Sequence, residues 1–291
     1  MSEISFEDRT VIVTGAGNGL GKAYAIDLGN RGAKVVVNDL GGAVDGSGSG
    51  STPADEVVNE IISNGGEAVA NYDSVATKEG GESIVQSAID NFGTVDAVIN
   101  NAGILRDKSF AKLSEEELSL VIDVHLKGAF FVSQPAFKVM KEKNYGRIVN
   151  VASPSGLFGN FGQSNYGAAK MGIVGLTNVL AIEGAKNNIY TNTIAPVAAT
   201  RMTENLMPEE VLDKLGPELV TPAALFLVSE SAPNGVILQA QGGKFSLAGI
   251  FENEGVNIGV DATVDDIAEN YEAIVDMADL KPRGMLQLNA M

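Results

Sequence analysis

The chain has 291 residues, of which 45% are hydrophobic and 20% charged, and its formal net charge at pH 7 is −17. This composition describes a globular protein rather than a disordered chain, and no apolar run approaches the roughly 18 residues that span a bilayer. The negative charge argues against binding to nucleic acid or anionic membranes, and the lack of cysteine with a single histidine, His125, excludes disulfides and ordinary zinc sites.

The first two thirds of the chain alternate short β-branched runs with amphipathic stretches. This pattern predicts an α/β fold with a doubly wound (Rossmann) seven-stranded parallel sheet and helices on both faces. The predicted strands are Thr10–Thr14, Lys34–Asn38, Ala68–Asn71, Asp96–Asn100, Arg147–Val151, Tyr190–Ile194 and Gly235–Gln239.

A glycine-rich turn follows the first predicted strand and opens a helix. Glycine lets the backbone approach a pyrophosphate closely, and the free N–H groups at a helix N-terminus stabilise its charge. The second strand ends at Asp39, whose carboxylate would bind a ribose diol and repel a 2′-phosphate, although a solvated aspartate is the alternative. The sequence thus predicts NAD rather than NADP as the cofactor, with candidate contacts at Gly15, Asn18, Gly19, Leu20, Gly21 and Asp39.

The stretch from Gly41 to Ser51 consists mainly of glycine and serine, which is typical either of a linker or of a surface loop. We interpret it as a loop beside the cofactor, because no second core begins after it. A new helix is predicted directly afterwards, with Thr52 as the N-cap and Pro53 at the first helical position. Thr221 and Pro222 repeat this pattern.

Polar and small residues follow the third and fourth predicted strands. Asp73 and Ser74 come after the third strand, and the run Asn100–Gly103 after the fourth. Because ligands of doubly wound sheets bind at the carboxyl ends of strands, these residues are further candidates for the cofactor site, although ordinary turn chemistry also explains them.

Tyr166 and Lys170 are spaced so that a helix would place both side chains on one face. An ammonium beside a phenol favours the phenolate, so we predict that Lys170 lowers the pKa of Tyr166 and makes it a general base. Ser153, just past the fifth predicted strand, could hold a substrate oxygen beside the tyrosine, and Ser155 is its rival.

Beyond Gly242 the strand pattern ends. We predict a domain over residues 1–247 and an extension over 248–291 with one amphipathic helix from about Val264 to Met277, which packs on the domain or in a subunit interface. The N-terminal residues lack a basic patch and an apolar stretch, and the last residues are not a peroxisomal address, so we expect a cytoplasmic protein.

The motifs resemble those of the short-chain dehydrogenase/reductase family: Thr14-Gly15-x-x-x-Gly19-x-Gly21, Asn100-Asn101-Ala102-Gly103, a serine, and Tyr166-x-x-x-Lys170. The resemblance implies a nicotinamide-dependent oxidoreductase that acts on secondary alcohols. It implies that the tyrosine is the acid/base, that the lysine binds the nicotinamide ribose and tunes the tyrosine, and that the serine orients the substrate oxygen. The family spacing selects Ser153 over Ser155.

The same resemblance assigns roles to further cofactor residues. Asp73 would flank the adenine, and Asn100, with Ala102 and Gly103 after it, would support the ribose side. The stretch Pro196, Val197 and Thr200 would close over the nicotinamide. Relatives are usually dimers or tetramers, so a homodimer or homotetramer is implied.

His125 occupies the place where most family members have a catalytic asparagine, which puts the proton relay assigned to that asparagine in doubt. The histidine, the 46–50 loop and the run Asn101–Asp107 are similar to the (3R)-hydroxyacyl-CoA dehydrogenase domain of peroxisomal multifunctional enzymes of type 2 and its single-domain bacterial relatives. This narrower resemblance implies an acyl-CoA substrate. Because the sequence carries no hydratase domain and no peroxisomal address, we expect a free-standing enzyme. A hydroxysteroid or a 3-oxoacyl carrier protein is the alternative.

Overall fold

A computed structural model describes residues 4–203 and 208–282 of the chain. It divides the chain into two compact units, which meet in sequence at Leu247 and Ala248. The strands of the central sheet are β1 (Thr10–Thr14), β2 (Lys34–Asn38), β3 (Glu67–Asn71), β4 (Ala97–Asn100), β5 (Gly146–Val151), β6 (Ile189–Val197), β7 (Ile237–Gln241) and β8 (Lys244–Ala248).

The order of these strands is β3-β2-β1-β4-β5-β6-β7-β8. Strands β1 to β7 pair in parallel, and the direction of winding reverses between β1 and β4. A crevice outside the carboxyl ends of the strands at such a reversal is the usual ligand site of an open α/β sheet. The predicted doubly wound Rossmann fold is confirmed.

The sheet has an eighth strand where the sequence predicted seven parallel ones. Gly242 and Gly243 join β7 to β8, both with positive φ. A two-residue connection can only join antiparallel neighbours, and positive φ at both residues suits a tight hairpin. We interpreted this glycine pair as the end of the sheet, whereas it is the turn into its last strand.

The helices of the first unit lie between the strands, and the glycine-rich loop forms the long connection between β2 and α2. A π-helical segment, Asp123–Lys127, separates two of them. No helix among the described residues has the length and apolar character needed to cross a membrane. The helices are α1 (Gly19–Asn30), α2 (Thr52–Ser63), α3 (Lys78–Phe92), α4 (Glu115–Ile122), α5 (Gly128–Lys143), α6 (Pro154–Phe158), α7 (Ser164–Gly184), α8 (Glu209–Leu212) and α9 (Thr221–Val228).

Helices cover both faces of the sheet. Val11 and Val13 of β1 pack with α1, α2 and α9, whereas Ile12 between them packs with α3 and α5 on the other face. Successive side chains of a strand point to opposite faces, so a strand buried on both is apolar throughout. The helix starts at Thr52 and Thr221 are each shifted by one residue, because each threonine is the first helical residue and its neighbour is the N-cap.

The second unit, from Ala248 onward, is small. Its strands β9 (Phe251–Glu252) and β10 (Lys281–Pro282) pair antiparallel, and its helices are α10 (Val264–Glu269) and α11 (Tyr271–Ile274). The single helix predicted here is wrong, because the backbone leaves the helical region at Asn270, where φ is −97° and ψ is 5°. The Asn270 side chain donates a hydrogen bond of 2.8 Å to the Asp266 carbonyl at this break.

Candidate active site

A cleft lies where β1, β2 and β4 end, and most of the predicted cofactor residues line it. We call it the nucleotide cleft. Gly21 and Asn100 are not on its wall. The predicted residues that line it are Gly15, Asn18, Gly19, Leu20, Asp39, Asp73, Ser74, Ala102, Gly103 and Thr200.

The glycine-rich turn needs glycine for close packing. Gly15 has a φ of +62°, and a Cβ there would lie 2.7 Å from the Ala102 Cα. A Cβ on Gly21 would lie 2.2 Å from the Gly15 carbonyl oxygen, so Gly21 packs beneath the turn rather than facing the cleft. The first glycine therefore shapes the cleft wall, and the last one lets α1 start directly under it.

Asp39 at the end of β2 is held in a fixed orientation. Its Oδ2 accepts a 2.7 Å hydrogen bond from the Gly17 N–H, and its Oδ1 accepts one of 2.7 Å from the Gly41 N–H. Each oxygen keeps lone pairs for further donors. The structure thus places a preoriented carboxylate, rather than a freely solvated one, at the edge of the nucleotide cleft.

Asn100 and Asp73 are held by side-chain hydrogen bonds. Asn100 is buried and donates bonds of 2.8 Å to the Ser133 Oγ and the Asn150 Oδ1, which links β4 to β5 below the cleft. Asp73 accepts bonds from Asn71 at 2.8 Å and Ser83 at 2.7 Å through Oδ2. Asp73 remains on the cleft wall, whereas Asn100 supports the sheet beneath it.

A second cleft contains the predicted catalytic residues, and we call it the catalytic cleft. It continues from the nucleotide cleft, because Leu20, Gly103 and Thr200 line both. The structure thus brings the two predicted sites together. The other predicted residues on its wall are Ser153, Ser155, Tyr166, Lys170, Pro196 and Val197.

Tyr166 and Lys170 lie one turn apart near the start of α7, as their spacing predicted. The Lys170 Nζ donates a 2.6 Å hydrogen bond to the Val151 carbonyl and lies 5.5 Å from the centre of the Tyr166 ring. The Ser153 side chain lies close enough to the Tyr166 hydroxyl to oppose the rise of its pKa. The backbone N–H of Ser155 donates to the Ser153 Oγ at 3.2 Å, so Ser155, the alternative candidate, helps to orient the Ser153 side chain.

The pKa values in the catalytic cleft are set mainly by burial. Burial raises the pKa of Tyr166 to about 12, against which the nearby Ser153 side chain acts. Burial also lowers the pKa of Lys170 to about 7. The predicted lowering of the tyrosine pKa by Lys170 is therefore wrong for this structure, because the lysine itself loses much of its charge near neutral pH.

Replacing Lys170 with methionine is expected to raise the free energy of unfolding at pH 7 by about 2 kcal/mol, after allowing for the lost hydrogen bond to Val151. The lysine pKa falls from 10.5 to about 7 on folding, so the unfolded chain holds the extra proton between these values. Wild-type stability is therefore reduced as the pH falls from 10.5 to 7, with no further change below 7.

Urea unfolding of wild type and Lys170→Met at pH 7 and pH 10 measures this effect. The advantage of the variant is expected to shrink at pH 10. The matched control is Lys127→Met, since Lys127 is more than half exposed and its pair with Asp123 stabilises by at most about 1 kcal/mol. A lower stability of Lys170→Met than of wild type at pH 7 would contradict the expected burial cost.

His125 lies in the π-helical segment and packs edge-on against Tyr166, with ring centres 5.1 Å apart. Its Nε2 lies 3.0 Å from the Ile104 N and 2.8 Å from the Ile104 O. Burial and the charge of Lys170 hold the pKa of His125 well below its usual range, so the ring is neutral. The histidine thus forms a rigid wall of the catalytic cleft.

A family model described as "short chain dehydrogenase" matches residues 9–211 of the chain. The chain belongs to the short-chain dehydrogenase family. It is an oxidoreductase, and the resemblance that the motifs indicated is confirmed. A protein of Mycobacterium tuberculosis named as a short-chain type dehydrogenase/reductase is 52% identical over 96% of this chain and 98% of its own length.

This short-chain dehydrogenase is also similar to larger enzymes. It is 54% identical over 83% of its length to the mouse peroxisomal multifunctional enzyme type 2, of which the match covers 33%. A solved short-chain dehydrogenase from Mycobacterium avium superposes with a TM-score of 0.83 and 39% identity, covering 95% of this chain and 97% of that one. A 7α-hydroxysteroid dehydrogenase complexed with NADH and 7-oxo glycochenodeoxycholic acid superposes at 0.74, with 29% identity and 82% and 95% coverage.

Sequence reasoning missed part of the nucleotide cleft of this dehydrogenase. Val75, Ile104 and several residues of the glycine-rich loop also line it, including Val44. The composition of the loop predicted its position beside the cofactor but carried no signal for which of its residues face inward. Val75 and Ile104 had a signal, because they follow Asp73 and Gly103, but as single apolar residues they are equally typical of a core.

Proposed function

We propose that this dehydrogenase is NAD-dependent and oxidises a (3R)-3-hydroxyacyl-CoA to the 3-oxoacyl-CoA, with Ser153, Tyr166 and Lys170 as its catalytic residues. The observation that carries the proposal is the meeting of these three side chains in a cleft that continues into the one containing Asp39. The acyl-CoA substrate is supported by the likeness to multifunctional enzymes of type 2.

The nucleotide cleft fits a dinucleotide without a 2′-phosphate. The close glycine turn leaves room for a pyrophosphate at the start of α1, where free N–H groups face it. The fixed Asp39 carboxylate can accept hydrogen bonds from a ribose diol and would repel a phosphate on the same ring. When bound, the nicotinamide supplies hydride chemistry, while the chain's own residues orient the alcohol and move its proton.

Each catalytic side chain has a separate task in this proposal. The Ser153 hydroxyl orients the substrate oxygen beside Tyr166, which lines the same cleft. In the oxidation, the Tyr166 phenolic oxygen accepts the hydroxyl proton of the alcohol. Lys170, fixed by the Val151 carbonyl, sets the electrostatic environment of the phenol and is placed to bind the nicotinamide ribose.

A substrate screen tests the assignment. The protein is mixed with NAD and with either enantiomer of a 3-hydroxyacyl-CoA, a panel of hydroxysteroids, or a 3-hydroxyacyl carrier protein, and NADH absorbance is followed. Turnover of the (3R)-acyl-CoA and not of the (3S)-enantiomer is the expected result. Turnover of a hydroxysteroid with no response to either acyl-CoA enantiomer would overturn the substrate while leaving the chemistry intact.

Replacing Asp39 with asparagine is expected to weaken NAD binding about tenfold, because a hydrogen bond to a charged group contributes about 1.5–3 kcal/mol and the neutral amide keeps only part of it. NADP binding is expected to improve, because the repulsion of the 2′-phosphate is removed. Titration of wild type and variant with NAD and NADP measures both dissociation constants. Equal affinity of the wild type for the two cofactors would contradict the role of Asp39.

A further inference from the structure

The glycine-rich loop, Gly41–Ser51, is folded onto the domain rather than extended into solvent. Within it, the Ala43 N–H donates to the Ser47 carbonyl at 2.8 Å and the Gly50 N–H to the Leu40 carbonyl at 2.9 Å. Gly46 packs against the side chains of Ile104 and Leu120. The loop therefore forms a defined wall of the nucleotide cleft. The shape of this wall depends on the contacts that the loop makes with neighbouring segments.

A second segment holds the loop in place. We call Ile104–Lys108, which follows the Asn100–Gly103 run, the connecting segment. The Leu105 N–H donates to the Val44 carbonyl at 3.0 Å. The Arg106 Nε donates to the Asp45 carbonyl at 2.5 Å. The pKa of Asp45 is lowered mainly by the hydrogen bonds from Ser47, with a smaller contribution from the charge of Arg106. The connecting segment is thus tied to the nucleotide cleft through two consecutive residues.

The same segment is tied to the start of α7 by its other groups. The buried Asn165 donates to the Arg106 carbonyl at 3.0 Å, and its own Oδ1 accepts the N–H of Tyr166 at 2.8 Å. Asp107 accepts a 2.8 Å bond from the Gln163 side chain. The Lys108 N–H donates to the Gly162 carbonyl at 2.8 Å. The connecting segment therefore contacts both the glycine-rich loop and the residues at the start of α7, where Tyr166 lies.

Arg106 contacts both the glycine-rich loop and the start of α7. Its side chain holds the loop through Asp45, and its backbone carbonyl holds Asn165, which in turn holds the Tyr166 N–H. We propose that Arg106 is a positioning residue that couples the two clefts, so that a nucleotide bound against the loop orders the start of α7 around Tyr166. The coupling rests on the proposed function only in that the nucleotide cleft takes the adenosine end of a dinucleotide.

Such coupling has a thermodynamic consequence. If a ligand in one cleft stabilises one arrangement of the connecting segment, it strengthens ligand binding in the second cleft. A ligand in the second cleft then strengthens binding in the first by the same free energy. The energy is carried by contacts that both clefts share, here the bonds at Arg106. Removing the side-chain bond is expected to weaken the binding of an adenosine ligand about fivefold, the equivalent of one net hydrogen bond.

Hydrogen exchange with ADP-ribose tests the coupling, because this probe fills the nucleotide cleft and lacks the nicotinamide that would reach Tyr166. In wild type, ADP-ribose is expected to slow amide exchange in the glycine-rich loop, in the connecting segment and over residues 162–170. In Arg106→Gln, the slowing is expected to be kept in the loop and to be clearly smaller over residues 162–170, although the backbone bond from Leu105 to Val44 remains. The matched control is Lys108→Gln, which removes one positive charge from the same segment but keeps the backbone bond to Gly162, and it is expected to behave as wild type.

The outcomes separate the possible failures. Slowed exchange over residues 162–170 in Arg106→Gln equal to that in wild type would overturn the role of Arg106. Binding of ADP-ribose to wild type with slowing confined to the loop would overturn the coupling and leave the proposed function in place. A wild type that does not bind ADP-ribose in calorimetry would overturn the proposed cofactor and the coupling together.

Discussion

Replacing Tyr166 with phenylalanine is expected to lower kcat about 1000-fold, because acid/base catalysis by a positioned side chain contributes roughly 10²–10⁴. The variant keeps the ring that packs edge-on against His125 and loses only the phenolic hydroxyl. NAD affinity is expected to change less than about twofold, since the ring still fills the cleft wall. Steady-state NADH formation and a direct NAD titration measure the two quantities.

The control for this variant is Tyr24→Phe. Tyr24 is fully buried against the sheet, and its hydroxyl has no hydrogen-bond partner among the described residues. Its removal is expected to leave kcat unchanged, because a buried hydroxyl without a partner stabilises nothing. If Tyr166→Phe bound NAD normally and turned over at the wild-type rate, the proposed mechanism would be refuted.

The strands were predictable because the core imposes a simple pattern on them. Val11, Ile12 and Val13 are all buried, alternately on the two faces, so the run had to be apolar throughout. The eighth strand was not predicted, because its side chains are mostly exposed and it follows a glycine pair that is also typical of a loop. The break at Asn270 was not predicted, because the helical spacing of Ile267, Tyr271 and Ile274 continues across it.

The positions of the site residues were predictable, but their protonation was not. Helical spacing sufficed to place Tyr166 beside Lys170, and strand ends sufficed to place Asp39 in a cleft. The pKa values depend instead on how completely the surrounding structure excludes water, which spacing does not encode. A lysine with a pKa of about 7 beside a tyrosine with a pKa of about 12 leaves the tyrosine neutral and the lysine only partly charged at neutral pH.

The sequence also did not predict which segment contacts the glycine-rich loop. Composition indicated a loop beside the cofactor, but the bond from Arg106 to Asp45 joins residues 61 positions apart. Such contacts depend on the register of β2 against its neighbours, which sets where the loop begins relative to the end of β4. Register is fixed by the packing of the whole sheet rather than by any local motif.

Arg147 shows a different use of a buried charge, at the opposite end of the sheet from the clefts. It is only 2% exposed, and the guanidinium donates to the carbonyl oxygens of Ser229, Gly146 and Asn188 at 2.7–3.1 Å. It also stacks on the rings of Tyr145 and Tyr190, 4.5 and 4.3 Å from their centres. Burial lowers the pKa of Arg147, but carbonyl oxygens and aromatic faces solvate its charge in place of water.

Replacing Arg147 with methionine is therefore expected to lower the free energy of unfolding by about 3–5 kcal/mol, because it removes charge-assisted hydrogen bonds to three carbonyl oxygens and the stacking on two tyrosine rings. The matched control is Arg9→Met, which removes a partly exposed guanidinium that also stacks on Tyr145. It is expected to cost less, about 1–2 kcal/mol, because the buried Asp96 keeps its bonds to the Thr10 N–H and to Lys143. Urea unfolding of both variants measures the difference. Since Arg147 contacts neither cleft, kcat/KM of its folded fraction is expected to match wild type, and equal losses of stability in the two variants would show that the carbonyl contacts contribute nothing.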